Sequence, residues 1–354
     1  MSLESPSSVA ARRLAATTRH IAGSQSSAAS AAAGSTSLLS LSAAGASSSG
    51  SSKSLSPSAG STIRNVTIFG AGLMGAGIAE VAIQKGFSVT LCDISEKFLD
   101  QGKKNIAKSL TRFAKKAGAS VNVDEIVSRL KTTTDSVSAV AEADLVIEAI
   151  VENLDVKQKL FASLDVAAKP TCIFVSNTSS LSITEIGSKL PDARRLRFGG
   201  LHFFSPVPAM KLVEVIRTEE TAAEVFDSLF AFSKQLGKVP VACKDTPGFI
   251  VNRLLIPYIR EAIAMYERGD ASARDIDTAM KLGAGHPMGP LELQDAVGLD
   301  IGKAIGDGWL KRAQQGDSRV PKHLLQPSKT LDDLVAQGKL GVKSGEGIYK
   351  YSKK

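Results

Sequence analysis

Aromatic residues make up only 5% of the 354-residue chain, and there is a single tryptophan. No basic run is interleaved with stacking aromatics, so the usual signature of a nucleic-acid groove is missing. Cysteine is scarce too. Cys92, Cys172 and Cys243 are odd in number and far apart, which spells out neither a disulfide framework nor a zinc site. Cys92 ends an apolar run and reads as a small core residue, and a reducing compartment is the simplest setting. Long apolar runs are also lacking. The stretch "VTIFGAGLMGAGIAEVA" is laced with glycine and stops at Glu80, short of the ~20 residues a membrane span needs. The net charge of +8 is mild, and half of it lies in the first 64 residues, where Arg12, Arg13, Arg19, Lys53 and Arg64 face Glu4 alone.

That first segment is rich in Ser and Ala and poor in large apolar side chains. It cannot bury enough surface to offset the entropy of ordering. Residues 1–62 are therefore expected to be a disordered targeting tail and linker. Arg12, Arg13 and Arg19 with almost no acid match the composition of an organellar transit peptide. A rival address is "RLAATTRHI", Arg13 to Ile21, which resembles an N-terminal peroxisomal signal, with Ile21 where Leu or Ala is usual.

From residue 65 the pattern changes. Val66 to Phe69 is a short β-prone run that leads into Gly70-Ala71-Gly72-Leu73-Met74-Gly75. A helical pattern follows, with Leu73, Ile78, Val81 and Ala82 at core spacing, and Gly86 ends it. Phe87 to Cys92 is a second apolar run, closed by Asp93. A bare GxGxxG says little, but here it joins a strand to a helix and an acid follows downstream. Gly70 permits the tight turn, Gly72 lets the backbone approach a pyrophosphate, and Gly75 lets the helix pack on the strand. The helix N-terminus, through Leu73 and Met74, offers free N–H groups and the positive end of a dipole to phosphate. Asp93 suits the two hydroxyls of an adenosine ribose and would repel a 2′-phosphate, which predicts NAD rather than NADP. The alternation continues through "ADLVIEAIVEN" and "TCIFVSNTSSL", predicting a parallel, Rossmann-type doubly wound sheet. Glu152 and the Asn177-Thr178-Ser179-Ser180 turn fall at the strand ends where such sheets bind ligands. Either Ser179 or Ser180 is also expected to cap the next helix.

His202 sits near the end of a strand in "RFGGLHFFSPVPAMKLVEVI", and Glu214 follows twelve residues later on the next strand. An even spacing lets the two share one face of paired strands. A carboxylate in hydrogen-bond reach would fix the imidazole tautomer and stabilise its charged form. A satisfied core histidine is the competing reading. The segment "DTPGFIVNRLLIPYIREAIAMYERG" then reads as a helix capped by Thr246, with Pro247 in its first turn and Gly269 at its end. Its apolar stripe includes Phe249, Ile250, Leu254 and Leu255, and Asn252 is the odd polar residue on that face. Pro257 should kink it. His286 and His323, in Pro-rich loops, are expected at the surface.

Taken together, the glycine fingerprint, "VEN" at 151–153, "SNTSSL", "GLHFF-PVP-MKLVEV", "CKDTPGFIVNRLL" and "GHPMGP" resemble the L-3-hydroxyacyl-CoA dehydrogenase family of fatty acid β-oxidation, in its monofunctional, short-chain mitochondrial form. The resemblance implies an NAD-binding domain over residues 63–245 and a smaller all-α domain over 246–354 that makes a homodimer. It implies His202 as general base and Glu214 as its partner. Ser179 and Asn252 match positions at the reacting end of the acyl-CoA substrate. Glu152 and Lys157 match residues near the nicotinamide half of the cofactor, and Ser109 and Lys116 match positions that hold coenzyme A. The basic segment "KKNIAKSLTRFAKKAG" accords with that last point. Ser205 departs from the family motif, which has Asn there. A sugar-acid or polyol dehydrogenase resembling lambda-crystallin is the alternative enzyme, and a non-catalytic protein that kept the fold is the third reading. The resemblance points to the mitochondrial matrix; the peroxisomal segment is the alternative.

Overall fold

The computed structural model describes residues 63–117, 122–317, 319, 320 and 322–352. Arg12, Arg13, Arg19 and the Arg13–Ile21 segment, expected to carry the targeting signal, lie outside the described residues.

Eight strands form one sheet in the order β3-β2-β1-β4-β5-β6-β7-β8. They are β1 (Asn65–Phe69), β2 (Ser88–Cys92), β3 (Leu130–Thr133), β4 (Leu145–Glu148), β5 (Ile173–Ser176), β6 (Phe198–Phe203), β7 (Leu212–Arg217) and β8 (Val239–Lys244). β1 pairs in parallel with both β2 and β4, so the chain reverses its direction of winding there. The crevice beyond the ends of β1 and β4 is the switch point at which open α/β sheets bind ligands. The sheet is mostly parallel, as the alternation predicts; β6 and β7 are its antiparallel pair. They are joined by the short turn through Ser205 and Pro206, with no crossover helix between them.

Helix α1 (Leu73–Gln84) packs on this sheet through Ile78, Val81, Ala82 and Ile83, all buried. Leu73, expected to join that face, is 70% exposed; it stands in the first turn, at the open end of the crevice. Helix α2 (Glu96–Ala117) buries Leu99, Ile106 and Leu110 and turns Lys97, Lys103, Lys104, Lys108 and Lys115 outward. Helix α3 (Leu154–Asp165) follows β4, capped by Asn153, whose side chain accepts from Val156 N. All three cysteines are buried and free. Burial pushes the Cys92 and Cys172 thiols up to about 12 and Cys243 up to about 11, so each behaves as a small apolar residue.

After β8 the described chain is helical: α4 (Val251–Arg268), α5 (Ala273–Gly283), α6 (Pro290–Val297), α7 (Leu299–Gln314) and α8 (Lys329–Ala336). Gly269 ends α4 in the left-handed conformation, as the sequence predicts. Its start is not where Thr246 and Pro247 suggested. Gly248 and Phe249 have φ of +79° and +53°, values that no helix can include, so the helix begins two residues later. It then runs through Pro257. Leu254, expected in the buried stripe, is 69% exposed. The C-terminal strand-like segment is latched to α5 and α6 by buried carboxylates: Asp277 accepts from Tyr349 Oη, and Asp295 accepts from Ile348 N and Tyr349 N.

Among the described residues, no helix is long and apolar enough to cross a membrane, and no group of three or more His, Cys, Asp or Glu could hold a metal ion.

Candidate active site

Antiparallel pairing of β6 with β7 sets His202 directly opposite Glu214. The twelve-residue spacing is thus converted into contact, with His202 Nδ1 2.7 Å from Glu214 Oε2. Both side chains are buried. The imidazole is packed against Phe204 and Phe249, with ring centroids 4.4 and 5.6 Å away. With Nδ1 held by the carboxylate, Nε2 is the ring nitrogen left for a ligand.

Glu214 does more than the sequence suggested. Its Oε1 accepts from the backbone N–H groups of Ile250 and Val251, at 3.0 and 2.8 Å. Helix α4 has no side chain of its own at its N-terminus to do this. The carboxylate from β7 therefore caps helix α4 while it orients the histidine.

His202 opens on a cavity of about 340 Å³ that also takes in Met74, Glu152, Lys157, Ser179 and Asn252. Ser205 is on the same wall. Asn252 Nδ2 donates to Ser179 O at 3.3 Å. Asn177 Oδ1 accepts from Phe203 N at 2.9 Å and so ties the turn after β5 to the strand that carries the histidine. Glu152 holds that turn from the other side, accepting from Thr178 Oγ1 at 2.5 Å, Ser179 N at 3.2 Å and Ser180 Oγ at 3.1 Å. Neither Ser179 nor Ser180 caps the next helix. Ser182 does, accepting from Glu185 N at the start of that helix, while the Ser180 hydroxyl is engaged by Glu152.

A second cavity, of about 500 Å³, lies at the switch point and includes Gly70, Gly72, Asp93 and Ile150. A side chain on Gly75 would put Cβ 1.8 Å from Gly70 O, while Gly72 faces open space. The turn therefore tolerates only glycine at 75 and leaves room for a ligand at 72. Gly72 offers no side chain to cap α1, so the first N–H groups of the helix are left for an anion. Asp93 is half-buried, and its Oδ2 accepts from Ala71 N at 2.7 Å, which holds the carboxylate at the rim. These features fit a dinucleotide. A larger cavity of about 730 Å³, by Ser182, Asp245 and Arg319, contains none of the predicted site residues.

Two predicted residues stand away from the histidine. Ser109 Oγ donates to Glu80 Oε1 at 2.7 Å across the seam between α2 and α1. Burial raises the Glu80 carboxyl pKa against the opposing effect of that hydrogen bond. Lys116 belongs to α2, and its side chain lies outside the described residues. His286 and His323 are exposed.

Sequence reasoning missed Glu148 and Ser176. Both are buried at the ends of β4 and β5, and Ser176 Oγ donates to Glu148 at 2.6 Å. Glu148 also accepts from Lys157 Nζ at 2.5 Å. An acid inside an apolar run with a lysine nine residues on was the available signal.

Comparison with known proteins gives two family models that between them match most of the described chain. Residues 65–246 match the NAD-binding domain of 3-hydroxyacyl-CoA dehydrogenase, and residues 248–351 match its C-terminal domain. The human mitochondrial hydroxyacyl-coenzyme A dehydrogenase is 56% identical over 295 residues, 82% of this chain and 91% of that protein. A 3-hydroxybutyryl-CoA dehydrogenase of Clostridioides difficile is 41% identical over 81% of this chain and 99% of its own. The crystal structure of (S)-3-hydroxybutyryl-CoA dehydrogenase from Ralstonia eutropha superposes with a TM-score of 0.75, at 40% identity, over 82% of this chain and all of that one.

Proposed function

The chain belongs to the 3-hydroxyacyl-CoA dehydrogenase family of NAD-dependent oxidoreductases, and from that premise we propose how its own residues carry the reaction. The reaction is the reversible oxidation of (S)-3-hydroxyacyl-CoA to 3-ketoacyl-CoA, as in fatty acid β-oxidation. NAD, when bound, supplies the hydride acceptor. Gly70, Gly72 and Gly75 with the N–H groups of Leu73 and Met74 cradle the pyrophosphate, and Asp93 takes the adenosine ribose hydroxyls. Glu152 and Lys157 border the nicotinamide end.

His202 Nε2 takes the proton of the C3 hydroxyl as the alcohol is oxidised and returns it in the reverse direction. Glu214 keeps the Nδ1–H tautomer in place and stabilises the imidazolium that forms. General base catalysis of this kind contributes on the order of 10²–10⁴ in rate. Ser179 and Asn252 position the hydroxyl and thioester; their mutual hydrogen bond supports a shared task. Ser109 and Lys116 hold coenzyme A beside the exposed basic face of α2. Ser109 Oγ donates to Glu80 and so keeps its lone pairs for a ligand.

The division into domains near residue 245, the homodimer and the mitochondrial matrix belong to the same proposal. Exposed Leu254 and Leu282 on the helical segment favour a covered surface there. The relatives from human and rat are mitochondrial enzymes by name.

The observation that carries the catalytic assignment is the buried 2.7 Å contact of His202 with Glu214 at the edge of a cavity. It is tested by turnover of acetoacetyl-CoA with NADH. The expected result is reduction that depends on the coenzyme A moiety; activity on sugar acids or polyols in its place would favour the lambda-crystallin-like alternative.

A further inference from the structure

Glu148 has no task in the reaction described above, yet it is fully buried at the end of β4. Its Oε1 accepts from Lys157 Nζ at 2.5 Å and from Ile150 N at 2.8 Å, and its Oε2 accepts from Ser176 Oγ at 2.6 Å. Lys157 is also buried, and its Nζ reaches a second carboxylate, Glu152, at 3.1 Å. Burial pushes Glu152 up, but the Lys157 charge and the hydrogen bonds from Thr178 and Ser179 outweigh it and hold its carboxyl below the usual range. One ammonium thus lies between two carboxylates, and the trio carries an excess of negative charge.

A buried ion pair is poor evidence for stability, because desolvating both ions offsets their attraction. Lys157 with Glu152 alone would leave the cavity floor neutral. The second, deeper carboxylate makes it negative, next to Met74, Ser179 and His202 on the same cavity. A charge in such an enclosed place acts on a neighbouring ring far more strongly than in water. The oxidised nicotinamide ring is cationic and the reduced ring is neutral. We infer that Glu148, acting through Lys157 and together with Glu152, biases the cofactor site toward the oxidised form of NAD. Such a bias favours loading of the site with NAD and release of NADH, while on the enzyme it opposes hydride transfer to the bound ring. The inference rests on the assignment of this cavity to the nicotinamide end of the cofactor. The other titratable pair there, His202 on the cavity with Glu214 bonded behind it, is unchanged by the substitutions below and cancels in the comparison.

The rival account makes Glu148 a structural tie between β4, β5 and α3. The two accounts part in the ratio of dissociation constants. A structural defect weakens NAD and NADH alike, whereas loss of the negative charge weakens NAD selectively. Binding of NADH by its fluorescence, and of NAD by competition against it, is measured for the full chain and for Glu148→Gln and Glu152→Gln. The ratio Kd(NAD)/Kd(NADH) is expected to rise about tenfold in each variant, which is about 1.4 kcal/mol. A ratio within about twofold of wild type in either variant overturns the inference. Should Glu148→Gln fail to fold, Glu152→Gln, whose side chain is 38% exposed, carries the test, and an unchanged ratio there overturns the charge effect. A wild-type chain that binds neither form overturns the reading of the cavity itself.

Discussion

Replacing Glu214 by Gln is the sharpest perturbation of the site, because the change is isosteric and the hydrogen-bond pattern around it is fully specified. Three donors converge on the carboxylate: His202 Nδ1–H, Ile250 N–H and Val251 N–H. A carboxylate can only accept, so it satisfies all three; an amide brings one accepting end and one donating end. If the amide nitrogen faced the helix, it would oppose two buried backbone donors, at a cost of about 1–3 kcal/mol for each group left unsatisfied. The oxygen therefore stays with Ile250 and Val251, and the NH₂ faces His202. Nδ1 must then accept, and the ring proton moves to Nε2. That tautomer cannot take a proton from the substrate hydroxyl, and without the carboxylate the imidazolium needed for the reverse direction is not stabilised. A loss in kcat of about 10³–10⁴ is expected in both directions. The helix keeps its two hydrogen bonds, weakened because they are no longer charge-assisted, so stability should fall by only about 1–2 kcal/mol. The assay is acetoacetyl-CoA reduction followed by NADH absorbance, with NADH binding and a urea melt as controls. A folded variant that binds NADH and turns over within about tenfold of wild type would refute the dyad.

Two further outcomes follow from the sequence and the geometry. Wild type should prefer NADH over NADPH by roughly 100-fold, since Asp93 at the cavity rim would face a 2′-phosphate at an effective dielectric well below that of water; Asp93→Ser should erode most of that preference, and a wild-type chain that already uses NADPH equally well removes Asp93 from the ribose position. A chain beginning at Thr62 should melt and turn over like the full chain, and residues 1–60 fused to a fluorescent protein should reach mitochondria. Import that survives His20→Ala fits the Arg-bearing transit peptide, whereas import abolished by it points to the Arg13–Ile21 segment.

What could be read from the chain was whatever the chain writes locally. The turn from Gly70 to Gly75 is legible because each glycine answers a demand within a few residues: a φ of +100° at Gly70, and a 1.8 Å clash with Gly70 O for any Cβ at Gly75. The dyad was legible because strand periodicity turns an even spacing into a shared face, and the register of β6 on β7 obeys it. The misses all came from tertiary neighbours. Thr246 and Pro247 form a persuasive helix start, but Phe249 takes a left-handed φ that a sequence gives no warning of. The cap was then supplied from 36 residues earlier, by Glu214. Ser180 looked like a cap and was claimed by Glu152 instead. Leu254 fitted the apolar stripe of α4 and faces outward; helical periodicity marks an apolar position without saying which surface covers it. Glu148 is the most instructive case. Within "DLVIEAI" it looks like a charge strayed into a buried strand, and only the fold brings Lys157 and Ser176 to it. Residues proposed to touch a ligand sit mostly in turns whose chemistry is local and therefore readable. Residues that set the charge and orientation of those groups sit one layer deeper, at strand ends and helix starts, where their partners come from other parts of the chain. In this protein Glu214 and Glu148 both belong to that deeper layer, and each joins elements that the sequence alone leaves unconnected.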